Sequence, residues 1–263
     1  MADFTAKDVQ RLRQGTGAGM MDAKKALVAS DGDYEAATQW LREQGLAKAS
    51  GRSDRDNSQG AVSIASDGNR IALVELKSET DFSAKGADFV TLTDELAALV
   101  AAKGPDAVKE RQDDIDQLKL TKKENIDVGQ VAFFEAAEGN VVDSYLHKQD
   151  GRGVVGVIIE ASDVAPETLH DIALHCAFAK PSVLTREDVD AAEVEKERAS
   201  LLEITKAEGK PEQAWDKIVE GRLTAWFKER ALLEQGIHGE KETVASRLGD
   251  GTIHRLALAV IGE

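Results

Sequence analysis

Few segments of this chain combine residue types that could do chemistry. The glycines of Gly15-Thr-Gly-Ala-Gly19 would cradle a phosphate if their N–H groups converged after a strand and opened a helix. A helical stretch precedes them, Met20-Met-Asp22 follows, and no Gly-Lys-Ser/Thr is present, so a tight helix–helix turn is expected instead. Asp113, Asp114 and Asp116 lack the turn glycine that lets a loop close around a hard cation, and read as a solvated helix face. Cys176 follows His175, but adjacent helical positions diverge by about 100°, too far apart for an activated thiol pair. Cys176 is expected in a buried helix with Ala173, Leu174, Ala177 and Phe178. His170 and His175 are not three or four residues apart, as a helical metal pair would be. No catalytic residue, metal site or cofactor is expected, and the chain is not read as an enzyme.

Two features are harder to dismiss. Thr80-Asp81-Phe82 lies in a polar setting, with Lys77, Ser78 and Glu79 before it and Ser83 and Lys85 after. One reading is a helix N-cap with Phe82 folded back onto a core. The other is an exposed aromatic beside a carboxylate, suited to insertion into a partner. His147, near the end of a strand-like run, is either an ordinary surface residue or a contact.

The elements that must position these residues are readable from periodicity. Thr5 and Asp8 form a capping-box pattern before an apolar stripe of Val9, Leu12 and Met20. Ala23, Ala26 and Leu27 mark a second helix, and Tyr34, Ala37, Trp40 and Leu41 a third after the Asp31-Gly32-Asp33 turn. Residues 49–60 have linker composition. A weak repeat follows. Residues 60–66 alternate, Asp67-Gly68 turns, and Ile71-Ala-Leu-Val74 exits at Glu75; residues 141–147 alternate, Asp150-Gly151 turns, and residues 154–159 exit at Glu160. Both read as β-hairpins, each followed by helix and a third strand-like run, 131–134 and 253–261. Residues 189–235 favour helix around a Gly209-Lys210-Pro211 breaker, with a seam of Val194, Leu201 and Ile204 before it and a better one of Trp215, Ile218, Val219, Leu223, Trp226 and Phe227 after it. An antiparallel helical hairpin is expected there.

The fold class is therefore α+β. The expected division is a three-helix N-terminal module with its linker (1–55), a first core subdomain (56–139), and a second (140–185 and 236–263) related to it, both with small antiparallel sheets. A helical hairpin arm (186–235) is inserted in the second.

Composition limits the function. The chain has 263 residues, with 33 Lys+Arg against 48 Asp+Glu and a net charge of −15. Such an excess repels nucleic acid and anionic membranes. The first 60 residues balance their charges, so the excess lies in the rest. One cysteine points to a reducing compartment, and the N-terminus lacks the basic and apolar regions of a signal peptide. A cytoplasmic, soluble protein that binds no nucleotide, nucleic acid or membrane directly is expected.

Residues 12–27, Leu-Arg-Gln-Gly-Thr-Gly-Ala-Gly-Met-Met-Asp-Ala-Lys-Lys-Ala-Leu, resemble the N-terminal signature of the elongation factor Ts family, the guanine-nucleotide exchange factors for elongation factor Tu. Residues 78–85 resemble its Thr-Asp-Phe segment. Further likenesses are Lys123-Glu-Asn-Ile126, Ser144-Tyr-Leu-His147 with Gly153-Val-Val-Gly156, Ile172-Ala-Leu-His175 with Pro181, and residues 217–223. Together they span nearly the whole chain in order. The resemblance implies a ubiquitin-associated-like N-terminal module, a two-part core and a coiled-coil arm. It also implies that Arg13, Met20, Met21 and Lys24 of the module, with Thr80, Asp81 and Phe82, dock on the nucleotide-binding domain of factor Tu. The last three would press beside its magnesium and phosphate site, while His147 would touch its third domain. A non-catalytic adaptor or chaperone of factor Tu is the alternative.

Three departures accompany the resemblance. Ala23 stands where the signature usually has Cys. Residues 235–244 replace the family's usual Pro-Phe-Val after Gln. The sequence ends after the 253–261 run, without the extra C-terminal helix of some members. The arm mediates self-association in some members, and monomer against homodimer stays open here.

Overall fold

A computed structural model describes residues 4–262. Three helices lead: α1 (Ala6–Thr16), α2 (Met20–Ala29) and α3 (Tyr34–Ser50). Asp8 Oδ2 accepts from both the backbone N–H and the hydroxyl of Thr5 at the start of α1, and Asp33 caps α3 by accepting from the Ala36 N–H at 2.8 Å. The first helix ends on Gly17, whose φ of 69° is the left-handed cap that glycine adopts without penalty. The glycine run is thus a helix–helix turn, as its setting required. Val9, Leu12, Ala23, Ala26, Leu27 and Ala37 close a small core. Met20 does not join it; it opens α2 and is half exposed.

The third helix ties this bundle to the rest. Arg42 pairs with Asp113, and a Cβ at Gly45 would run into Leu120 Cδ2, so glycine permits the close approach of α3 to α6 (Gln112–Lys122).

Six antiparallel strands follow the bundle. β1 (Gln59–Asp67) and β2 (Arg70–Ser78) form a hairpin, and β3 (Asp127–Glu135) pairs with β2. β4 (Val141–Gln149) and β5 (Arg152–Ser162) form the second hairpin, and β6 (Thr252–Val260) pairs with β5. The repeat read from the sequence is therefore present in the connectivity of two three-stranded antiparallel sheets that hydrogen-bond into one six-stranded sheet, in the order β3-β2-β1-β5-β4 with β6 also on β5. They are joined at one register pair, Val62 opposite Gly153. The second turn places Asp150 and Gly151 at φ 53° and 80°, the two positive values a type I′ turn requires. The strands do not exit at Glu75 and Glu160. Both residues sit beside register shifts inside β2 and β5, which run on to Ser78 and Ser162.

Alternation explains why these strands are apolar on successive residues. Ala72, Val74 and Leu76 face a core under α5 (Ala87–Lys103), which includes Phe89, Leu92 and Leu96. Val157, Ile159 and Ala161 face another under α7 (Pro166–Ala179), with Leu169, Ile172 and Cys176. Their neighbours Ile71, Leu73 and Ile158 point the other way, into a third core that the two sheets share. A strand covered on both faces has no solvated side on which to place polar residues.

Between α7 and β6 the chain forms α8 (Ala191–Ala207) and α9 (Trp215–Arg230), which pack through Val194, Leu201, Leu223, Trp226 and Phe227, and then the short α10 (Val244–Leu248). Gly209, at φ 70°, turns the chain between α8 and α9. Among the described residues no helix is long and apolar enough to cross a membrane.

Candidate functional site

The Thr80-Asp81-Phe82 segment forms the start of α4 (Asp81–Ala84), a single helical turn between β2 and α5. Its N-cap is Thr80, whose hydroxyl oxygen accepts from the Ser83 N–H at 3.2 Å. Ser83 and Ala84 are the buried members of the turn, and Phe82 is 86% exposed. Of the two readings of Phe82, folding back onto a core is excluded. Burying such a ring stabilises a protein by about 1.5–3 kcal/mol, and here that contribution is forgone.

The turn is held from two sides. Glu124 accepts from the Thr80 N–H at 3.1 Å, the Thr80 hydroxyl at 2.7 Å and the Ser83 hydroxyl at 2.5 Å. Lys85 Nζ lies 2.7 Å from Asp81 and 3.0 Å from Asp150 at the tip of the second hairpin. The hydrogen bond from Lys85 holds the Asp81 carboxyl below its ordinary range, and bonds to Asp81 and Asp150 raise the Lys85 ammonium. Beside the turn opens a polar cleft of about 450 Å³, whose lining includes Gln59, Glu79, Asp81, Lys85, Asp150 and Arg152.

The other expected contact residues are surface residues on separate elements. Arg13 in the last turn of α1 and Lys24 on α2 are exposed. Met20 and Met21 are 50% and 63% exposed. His147 is exposed on β4, its Nδ1 3.3 Å from the Tyr145 hydroxyl. Phe178 is expected in the buried helix from its hydrophobic type, not from helical phase. It is 76% exposed, because the buried stripe of α7 is Leu169, Ile172, Ala173 and Cys176, and nine positions at 100° each put Phe178 about 180° from Leu169. Val28 is also exposed, and Ile204, expected in the seam before the breaker, is instead 48% exposed and lies outside the seam that Val194 and Leu201 join.

The chemistry-bearing groups elsewhere are structural. Burial pushes the Cys176 thiol up to about 12. His175 is buried, which lowers its pKa. It meets Gln235 Oε1 through Nε2 at 3.0 Å and accepts the His238 N–H through Nδ1 at 3.1 Å. This fastens to α7 the loop in which the sequence departs from the Pro-Phe-Val pattern. Asp113 and Asp114 are engaged by Arg42 and Arg111. Exposed apolar residues thus lie on the N-terminal helices, and Phe82 projects from a clamped turn.

The family model described as elongation factor TS matches residues 79–261, more than half of the chain. The chain belongs to the elongation factor Ts family. It is 43% identical to elongation factor Ts of Clavibacter michiganensis over 89% of each chain. It is 38% identical to that of Deinococcus radiodurans over 97% of this chain and 99% of the relative, and 40% identical to that of Mycolicibacterium smegmatis over the full length of both. Elongation factor Ts proteins are non-catalytic exchange factors, and this member is accordingly not an enzyme.

Proposed function

We propose that the chain binds elongation factor Tu in its GDP form, promotes GDP release and holds the nucleotide-free form until GTP binds. Family membership supports the exchange role. The observation that carries the finer reading is Phe82, 86% exposed on a turn fixed by Glu124 and Lys85. In this reading Thr80, Asp81 and Phe82 enter beside the magnesium and phosphate site of factor Tu. Arg13, Met20, Met21 and Lys24 dock the ubiquitin-associated-like module (1–55) on the same domain of the partner. His147, in the second core subdomain (140–185 and 236–263), meets the partner's third domain. The first core subdomain (56–139) carries the wedge, and residues 186–235 form the coiled-coil arm. The protein acts in the cytoplasm and uses no cofactor of its own.

Linkage supplies the mechanism. Tight GDP binding depends on Mg²⁺ and on backbone N–H groups that face the phosphates. A protein that binds the nucleotide-free state more tightly than the loaded one weakens nucleotide binding by the same factor. A wedge worth about 3–4 kcal/mol at the release barrier speeds release several hundredfold, at tenfold per ~1.4 kcal/mol. No covalent bond is made or broken.

The test is release of fluorescent GDP from preloaded factor Tu under excess GTP. Acceleration that Asp81→Ala with Phe82→Ala abolishes, and Cys176→Ala or His170→Ala leaves intact, supports the wedge. Binding without acceleration would favour the adaptor.

A further inference from the structure

The Lys123-Glu-Asn-Ile126 segment lies 44 residues from Thr80 in sequence, yet it supplies what the wedge turn cannot supply itself. A single helical turn is unstable alone, and α4 is four residues long. The chain leaves α6 through Lys123 in a left-handed conformation, φ 59°, which ends the helix one residue before Glu124. The Glu124 carboxylate then takes three of the hydrogen bonds that fix the turn, from the Thr80 N–H and from the hydroxyls of Thr80 and Ser83. Bonds to an ionised acceptor are about twice as strong as neutral ones. The next residue faces the other way. Asn125 is 7% exposed. Its N–H donates to Glu79 Oε1 at 2.7 Å, and its side-chain amide donates to the carbonyls of Ser53 and Arg55 at 3.1 and 2.8 Å. Residues 53–55 are where the chain leaves the N-terminal helices. The neighbouring residues 124 and 125 therefore grip, respectively, the turn that carries Phe82 and the exit from the N-terminal module.

We propose that Glu124 is a positioning residue for nucleotide exchange: it sets the attitude of Phe82, and Asn125 locks that attitude to the N-terminal module, so that docking of the module and entry of the wedge are one rigid event. This rests on the exchange reading above. Glu124 touches no nucleotide and acts only through Thr80 and Ser83.

The experiment measures GDP release from factor Tu over a range of chain concentrations for Glu124→Ala and Glu124→Gln, each with and without Phe82→Ala. For Glu124→Ala the maximal release rate should fall about tenfold, the worth of one charge-assisted bond. The half-saturating concentration should change by less than about twofold, since the other contacts are intact. In the Phe82→Ala background the further loss should be under about twofold, because the residue acts through the ring. Glu124→Gln keeps one oxygen for the two hydroxyls and loses the Thr80 N–H bond, so a smaller loss of the same kind is expected, and it remains informative if alanine fails to fold. Amide exchange of Thr80 and Ser83 in the free chain, which needs no partner, should quicken in both variants without a matching loss of global stability. Equal rate losses with and without Phe82, or unchanged Thr80 protection, would overturn the proposal. A wild-type chain that fails to accelerate release overturns the exchange reading and Glu124's role in it; the amide data then decide the clamp alone.

Discussion

Lys85 Nζ lies 3.0 Å from Asp150 Oδ2, joining the turn that carries Phe82 to the tip of the hairpin whose first strand carries His147. The same ammonium is 2.7 Å from Asp81. One side chain thus ties the turn of Phe82 to the second hairpin, close to the two residues proposed above to meet the partner.

Replacing Lys85 by Met should therefore loosen the wedge against the second hairpin without unfolding the protein. All three partners are at least one-third exposed, so GDP release should fall about two- to fivefold, the range that exposed pairs span. The defect should narrow as salt rises, because the wild type loses the same attraction by screening. Asp81 is held below its ordinary pKa and Lys85 above its own. The pairing is therefore complete around neutral pH and is lost as pH falls through the lowered carboxylate value or rises through the raised ammonium value. A release assay across that neutral window should show no titration from this pair.

Much of this arrangement is legible in the sequence. The hairpins are, because Asp67-Gly68 and Asp150-Gly151 are local turn signals that need no knowledge of the rest of the chain. The setting of the glycine run is also local. Glu124 is not, since its partners are 41 and 44 residues away and nothing in Lys-Glu-Asn-Ile itself tells a clamp from a solvated loop. At Phe178 hydrophobic type and helical phase give opposite answers, and phase decides. Phe82 stands between two readings, since a sequence without neighbouring apolar residues does not say whether a ring finds a distant core.

Glu160 should govern acid stability. It is 2% exposed. Burial alone would raise its pKa, but hydrogen bonds from the Asn140 side chain, the Ala137 N–H and Arg255 outweigh it and hold the carboxyl below its ordinary 4.5. A lowered carboxylate contributes stability that is fully present above the unfolded-state value and is lost as pH falls through the folded one. Glu160→Ala should cost about 3 kcal/mol at neutral pH, because Arg255 and the Ala137 N–H lose their acceptor. Denaturant melts at neutral pH and at about pH 3 should show the mutant's deficit shrinking in acid.

Cys176 should be inert in the native protein. With its thiol raised to about 12 and fully buried, almost no thiolate is present at mildly alkaline pH, and thiolate is the species that reacts. Alkylating reagents should label it only at the rate of unfolding, so that denaturant and labelling curves coincide. Rapid labelling of the folded chain would mean that α7 opens locally. Cys176→Ala should leave GDP release unchanged.

The shared core between the two sheets makes the sharpest stability prediction. Gly156 lies on β5 against the first sheet, and a Cβ there would stand 2.6 Å from Val62 Cγ1 and 3.0 Å from Leu73 Cδ1. Neither neighbour can swing away, since both are buried and Val62 also holds the register pair with Gly153. Gly156→Ala should therefore destabilise by about 1–3 kcal/mol through overpacking. Val62→Ala should cost about 2 kcal/mol by leaving a cavity. In the double mutant the new methyl enters the space the valine vacates, so the combined loss should fall short of the sum by at least about 0.5 kcal/mol. Strict additivity in denaturant melts would show that the sheets adjust independently and that their contact at Val62 is not tightly packed.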